Sequence, residues 1–207
     1  PCRARRRSGC GMRDLDQALE RRLADLCDEG AELAARFDED VRSKQWHPFL
    51  PADYRVVLQA LVTRRAPDVR FLEWGSATGV ITIMADLLGY EAYGIELDAY
   101  LVDVARELAL RNESKALFAA GSFLPGSYRW KPDDGDGRMG TIGEGASGYD
   151  DLGHNLNEFD VVFGFPWDGE IDMMLDLFRQ HGRADARLLV NMTNDGVHEY
   201  RDGERHA

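Results

Sequence analysis

Residues 71–79 read FLEWGSATG. An apolar pair runs into Glu73 and Trp74, and two glycines four positions apart, Gly75 and Gly79, bracket nothing larger than threonine. Glycine adopts backbone angles that side chains resist and lets a ligand approach the main chain. A helix beginning just beyond offers N–H groups with no partner inside the helix. VRFLEW (69–74) therefore reads as a buried strand, and VITIMADLL (80–88) as the helix it feeds.

The same alternation continues downstream. YEAYGIEL (90–97) is a second strand, and Asp98 caps an amphipathic helix over 98–112. KALFAAGSF, FDVVFGF and ARLLVNMT supply three more strands, with a helix near 169–181 before the last. Strands alternating with helices imply a parallel sheet with right-handed crossovers. The expected class is α/β, a Rossmann-like doubly wound sheet of about five strands in the order 3-2-1-4-5. Little follows the fifth strand beyond VHEYR, so a closing hairpin is expected to be reduced or absent. That would leave an edge for the N-terminal helices or a second subunit to cover, making a homodimer a candidate assembly.

Upstream, leucines at 15, 19, 23, 26 and 33 with Phe37 give helical spacing over 13–38, with Gly30 as an expected break. A second short helix is expected at about 52–65. The chain divides into a basic tail at 1–11, disordered or foreign to the native protein, a helical cap at 12–66, and a ligand-binding domain at 67–207. Residues 125–157, rich in glycine and acid, are expected as a long loop, with 133–145 mobile.

Composition narrows the partners. Net charge is −12, although Arg3, Arg5, Arg6 and Arg7 crowd into the first seven residues. Such a field repels phosphate polymers, which argues against nucleic acid and favours small molecules, cationic groups or neutral acceptors. No apolar run approaches the roughly 18 residues of a membrane span, so no membrane association is expected. Three sparse cysteines, Cys2, Cys10 and Cys27, make neither a disulfide framework nor a zinc site, which suits a cytoplasmic protein without metal.

The strand ends indicate the ligand. Glu96, in GIELD, stands 21 residues after Gly75, near the separation at which an acid holds a ribose diol in nucleotide-binding units. Gly121-Ser122-Phe123 ends the third strand beside the same crevice. The dinucleotide fingerprint G-x-G-x-x-G fails at Ala77, and no P-loop lysine follows. Glu73 would repel pyrophosphate but suits an amino-acid ammonium.

ExGxxxG followed by GIE resembles motif I and the next acidic motif of class I S-adenosylmethionine-dependent methyltransferases, over about residues 69–193. The resemblance implies S-adenosyl-L-methionine as cofactor. It places Glu73 by the methionine amino group, Gly75, Ser76, Ala77 and Gly79 around the methionine moiety, and Glu96 on the ribose hydroxyls. Leu97 and Phe123 would flank the adenine beside Gly121 and Ser122, and Phe165 would complete the cofactor site. The family's middle glycine is Ala77 here, and Ser122 stands where many members carry Asp.

The fourth strand ends in GFPWDGE, where such proteins face the transferable methyl. Amino-directed nucleic-acid methyltransferases carry [DNS]-P-P-[YFW] there; Gly164 replaces the polar residue. FPWDGE is closer to the segment of a little-characterised bacterial branch. Trp167, Asp168 and Glu170 are the candidate catalytic residues on the acceptor side, Glu170 equally suited to capping the next helix. Trp46, His47 and Tyr54 are candidates to close the site, and Asn191 and Asn194 to reach the acceptor. The implied activity is methyl transfer to a small-molecule or protein acceptor. The alternatives are a catalytically silent cofactor-binding module and, disfavoured by the failed fingerprint, a nucleotide-dependent oxidoreductase.

Overall fold

The computed structural model describes residues 15–44, 49–130, 145–167 and 169–206. Helix α1 (Gln17–Phe37) starts where the Asp16 carboxylate accepts the amides of Ala18 and Leu19. It buries one stripe, Leu23, Leu26, Gly30, Ala34 and Phe37, at helical spacing. A π-helical turn follows at Asp38–Arg42, and α2 spans Tyr54–Val62. Then come β1 (Arg70–Trp74), α3 (Val80–Leu87), β2 (Glu91–Glu96), α4 (Ala99–Arg111) and β3 (Leu117–Ala120). The chain continues through α5 (Gly148–Leu152), a 3-10 turn (Leu156–Glu158), β4 (Val161–Gly164), α6 (Ile171–His181), β5 (Arg187–Met192), β6 (Gly196–Arg201) and β7 (Glu204–His206).

One sheet runs β3-β2-β1-β4-β5-β6-β7. The first five of these strands in spatial order are parallel, and β6 and β7 join antiparallel. The expected Rossmann-like order 3-2-1-4-5 holds, but the described strands number seven rather than five. The hairpin was hard to read because β7 is three exposed polar residues, with no buried alternation to mark it. Registers bring Trp74 level with Ile95 and Gly164, so the tips of β1, β2 and β4 end together. The order reverses beside β1, the switch point at which parallel sheets leave a crevice.

Alternate residues feed two cores. Phe71 and Phe163 face α1, α2, α3 and α4, while Leu72, Trp74 and Val162 face α5 and α6. The N-terminal extension shares the first core: Leu23, Leu26, Val57 and Leu61 pack with Phe71, Val80 and Met84. Gly30 does not break α1. A Cβ there would stand 2.6 Å from Val80 Cγ2, so the glycine permits a close helix crossing. Gly30→Ala gains about 1 kcal/mol of helix propensity, against about 1–3 kcal/mol for overpacking. A net loss of about 1 kcal/mol is expected in the urea midpoint.

The segment expected as a loop over 125–157 contains α5 and the 3-10 turn, fastened by a buried residue. Tyr149 accepts a hydrogen bond of 2.8 Å from Trp74 Nε1, and Ser122 bridges Ser147. Residues 131–144, with most of the acidic stretch 133–145, lie outside the described residues, as do Trp46 and His47. At the sheet's other edge, Arg106 donates to the Phe118 carbonyl of β3 at 2.9 Å. Among the described residues no helix is long and apolar enough to cross a membrane, and no group of three or more His, Cys, Asp or Glu could hold a metal.

Candidate functional site

A cavity of about 370 Å³ opens at the switch point, within the usual range for a small-molecule site. Its floor is the β1–α3 loop. Gly75 and Gly79 take φ of 70° and 80°, and Ala77, between them, takes 45°. The amides of Gly75 and Ser76 both donate to the Ile95 carbonyl, at 2.9 and 3.0 Å, tying the loop to β2. A Cβ on Gly75 would meet nothing within 4 Å, whereas one on Gly79 would stand 2.7 Å from Ala105 Cβ and from Phe118 Cζ. Gly75 therefore opens to the cavity, while Gly79 lies behind it and lets α3 pack on α4.

Ala77 keeps the left-handed turn that glycine would adopt freely. That conformation costs an alanine about 1–2 kcal/mol, and glycine's extra freedom in the unfolded chain offsets about 0.4–1 kcal/mol. Ala77→Gly is expected to raise stability by about 0.5–1 kcal/mol, read from the urea midpoint.

Two carboxylates line the cavity. Glu73 is buried, and its Oε2 accepts the Thr82 amide at 2.9 Å and the Thr82 hydroxyl at 2.5 Å. Burial pushes its pKa up to about 8, opposed by the two Thr82 bonds and reinforced by the charge of Glu96. Glu96 accepts the Ala77 amide at 2.8 Å on one oxygen and the Asp98 amide at 3.0 Å on the other. Burial raises its pKa too, against those backbone bonds. Tyr54, from α2, reaches the same wall. Its phenol is raised by burial and then by Glu73, and it bonds the Thr78 side chain. No Lys, Arg or His of the described residues lines the cavity.

Most of the expected cofactor residues converge. Glu73, Gly75, Ser76, Ala77, Glu96, Leu97, Gly121, Ser122, Phe123 and Phe165 line one cavity. Phe123 also stacks on the Trp74 indole, ring centres 5.3 Å apart and 18° from parallel. On the acceptor side Trp167 lines the cavity, and Asp168 lies outside the described residues. Glu170 is buried and turned away: its Oε2 accepts the Trp167 amide at 2.9 Å, so it fixes the turn after β4 and does not line the cavity. Asn194 lines the cavity, whereas Asn191 is buried in β5 and does not. Sequence reasoning missed Trp74, Met174, Thr193 and the strap Phe49–Ala52 as wall residues. Trp74 was not legible as a wall residue, since alternation sends the neighbour of Glu73 to the opposite face of the sheet.

No family model matches the chain. Over 68 residues it is 34% identical to ribosomal protein L11 methyltransferase of Thermus thermophilus, covering 33% of this chain and 27% of that protein. The match thus spans about a quarter of that relative's length. An RNA methyltransferase from Salinibacter ruber, solved with S-adenosyl-L-homocysteine, is similar with a TM-score of 0.49 and 17% identity, over 68% of this chain and 76% of that one. Precorrin-6y C5,15-methyltransferase from Geobacter metallireducens is similar with a TM-score of 0.46 and 16% identity, over 67% and 60% of the two chains. The resemblance to class I S-adenosylmethionine-dependent methyltransferases is borne out by the likeness to a methyltransferase sequence.

Proposed function

We propose that the protein is an S-adenosylmethionine-dependent methyltransferase acting on a small-molecule or protein acceptor. Glu73 carries this reading. It is a buried carboxylate at the wall of a cavity that no described cation lines, and burying such a charge unpaired is costly. A ligand ammonium satisfies it. The opposite carboxylate, Glu96, stands at the β2 tip where a ribose diol would be accepted.

The remaining walls fit the same ligand. Ser76 Oγ is buried without a hydrogen-bond partner, and Gly75 leaves its side of the cavity clear of any Cβ. Leu97 and Phe123 offer apolar surface for the adenine, and Phe165 and Trp167 extend toward the acceptor. When bound, S-adenosylmethionine supplies a methyl on a sulfonium, which the acceptor's lone pair takes as the carbon–sulfur bond's electrons pass to sulfur. The chain's part is placement and exclusion of water, which alone accelerate reactions greatly.

Calorimetry with S-adenosylmethionine and S-adenosylhomocysteine tests the reading. Micromolar binding of both is expected; no heat and no thermal shift with either would remove it. A silent binding module is the second reading, favoured by the absence of a polar side chain at Gly164. Methyl transfer to any acceptor would dispose of that alternative.

A further inference from the structure

Gly164 ends β4 in the place where the sequence lacks a polar acceptor-binding side chain, and the structure shows what fills the space. A Cβ on Gly164 would stand 2.9 Å from Met174 Sδ and 3.6 Å from Trp74 Cε3. Both neighbours are nearly inaccessible to solvent, and both line the cavity. Trp74 cannot swing aside without losing its bond to Tyr149 and its stack on Phe123. The floor of the acceptor end is thus thioether and indole, built where a hydrogen-bonding side chain would stand.

The walls around that floor are of one kind. Phe165, Pro166 and Trp167 form one side and Phe49 and Pro51 another, while Glu170 has its carboxylate committed to the Trp167 amide. Among the described residues, Thr193 and Asn194 add polar side chains to the lining, both exposed on the β5–β6 turn. Desolvating a charge among such walls without a partner costs several kcal/mol, whereas an aromatic ring gains by packing on Trp167 and Met174.

We infer that the acceptor end selects a neutral aromatic acceptor, its ring held between Met174 and Trp167 and its polar substituent at the Thr193–Asn194 rim, and that Met174 sets this selectivity by occupying the space over Gly164. The inference rests on the methyltransferase reading. Phosphate-bearing acceptors find no cation in the described walls, and for ammonium-bearing ones the carboxylates among the described lining residues are Glu73 and Glu96, which the cofactor itself would engage.

Three probes with one ring system test it: naphthol, naphthoate and naphthylmethylamine, the last cationic at neutral pH, each titrated by calorimetry into the full-length protein saturated with S-adenosylhomocysteine. Naphthol is expected to bind at least about tenfold more tightly than either charged probe, a difference of about 1.4 kcal/mol. Asn194→Arg, a substitution on an exposed turn, is expected to raise naphthoate affinity about tenfold, whereas Met174→Lys should do so at the cost of naphthol. A charged probe binding as tightly as naphthol, or none of the three binding, overturns the inference. So does a preference for the amine that Asp168→Asn abolishes, which would assign the site's charge to Asp168. Failure of S-adenosylhomocysteine itself to bind would instead sink the methyltransferase reading.

Discussion

Glu73→Gln is expected to make the ligand-free protein more stable at pH 9, by up to about 5 kcal/mol, while weakening S-adenosylmethionine binding at least about a hundredfold. Both effects come from one buried carboxylate. Its folded pKa is raised, from an ordinary 4.5 to about 8, because burial disfavours the ion. Between those values the folded state holds a proton that the unfolded chain has lost. Stability therefore falls as pH rises from about 4.5 to about 8, and levels above. Glutamine offers the same oxygen to the two Thr82 donors and has no charge to desolvate. Urea titrations at pH 5, 7 and 9 should show a gap between variant and parent that opens with pH. A gap that stays constant would mean Glu73 is not a strained carboxylate. Binding shows the reverse, because the ion that burdens the fold is the group that grips an ammonium. Below pH 8 the parent's affinity should rise with pH, and the variant's should be flat. The stability given up at this site is a familiar cost of function.

Glu96→Ala is expected to cost a hundredfold or more in cofactor affinity. Hydrogen bonds to a charged group contribute about 1.5–3 kcal/mol each, and a ribose diol offers two. The same substitution also removes the acceptor for the Ala77 and Asp98 amides, so part of the loss would come from a loosened β1–α3 loop. An S-adenosylhomocysteine analogue lacking the ribose hydroxyls separates the two contributions. If Glu96 reads the sugar, parent and variant should bind that analogue with similar affinity. A hundredfold difference that persists with the analogue would place the effect in the loop alone, and unchanged affinity for the cofactor itself would put the ribose elsewhere.

The sheet was legible because its parallel strands are short apolar runs alternating with helices, whereas right-handed crossovers alone allow more than one strand order. The carboxylates were legible because an acid at the end of a buried apolar strand is costly to desolvate and calls for a partner. What stayed hidden depends on contacts between distant residues. Nothing local to Tyr149 reports that it caps the indole of Trp74, 75 positions away. Nothing in DGE says that Glu170 folds back onto the Trp167 amide rather than facing a substrate. Met174 reads as one more helix methionine until the space over Gly164 is measured. The strap Phe49–Ala52 was partly foreseen, since the neighbouring Trp46, His47 and Tyr54 were candidates to close the site, but its own wall residues were not singled out.

The two outer strands bear on how copies of the molecule can meet. On one margin β7 presents only Glu204, Arg205 and His206, all exposed, and on the other the guanidinium of Arg106 sits on the Phe118 carbonyl that a newcomer would need. Neither flank welcomes backbone-to-backbone zippering. Growth of a fibre by pairing strand edge to strand edge is thereby discouraged.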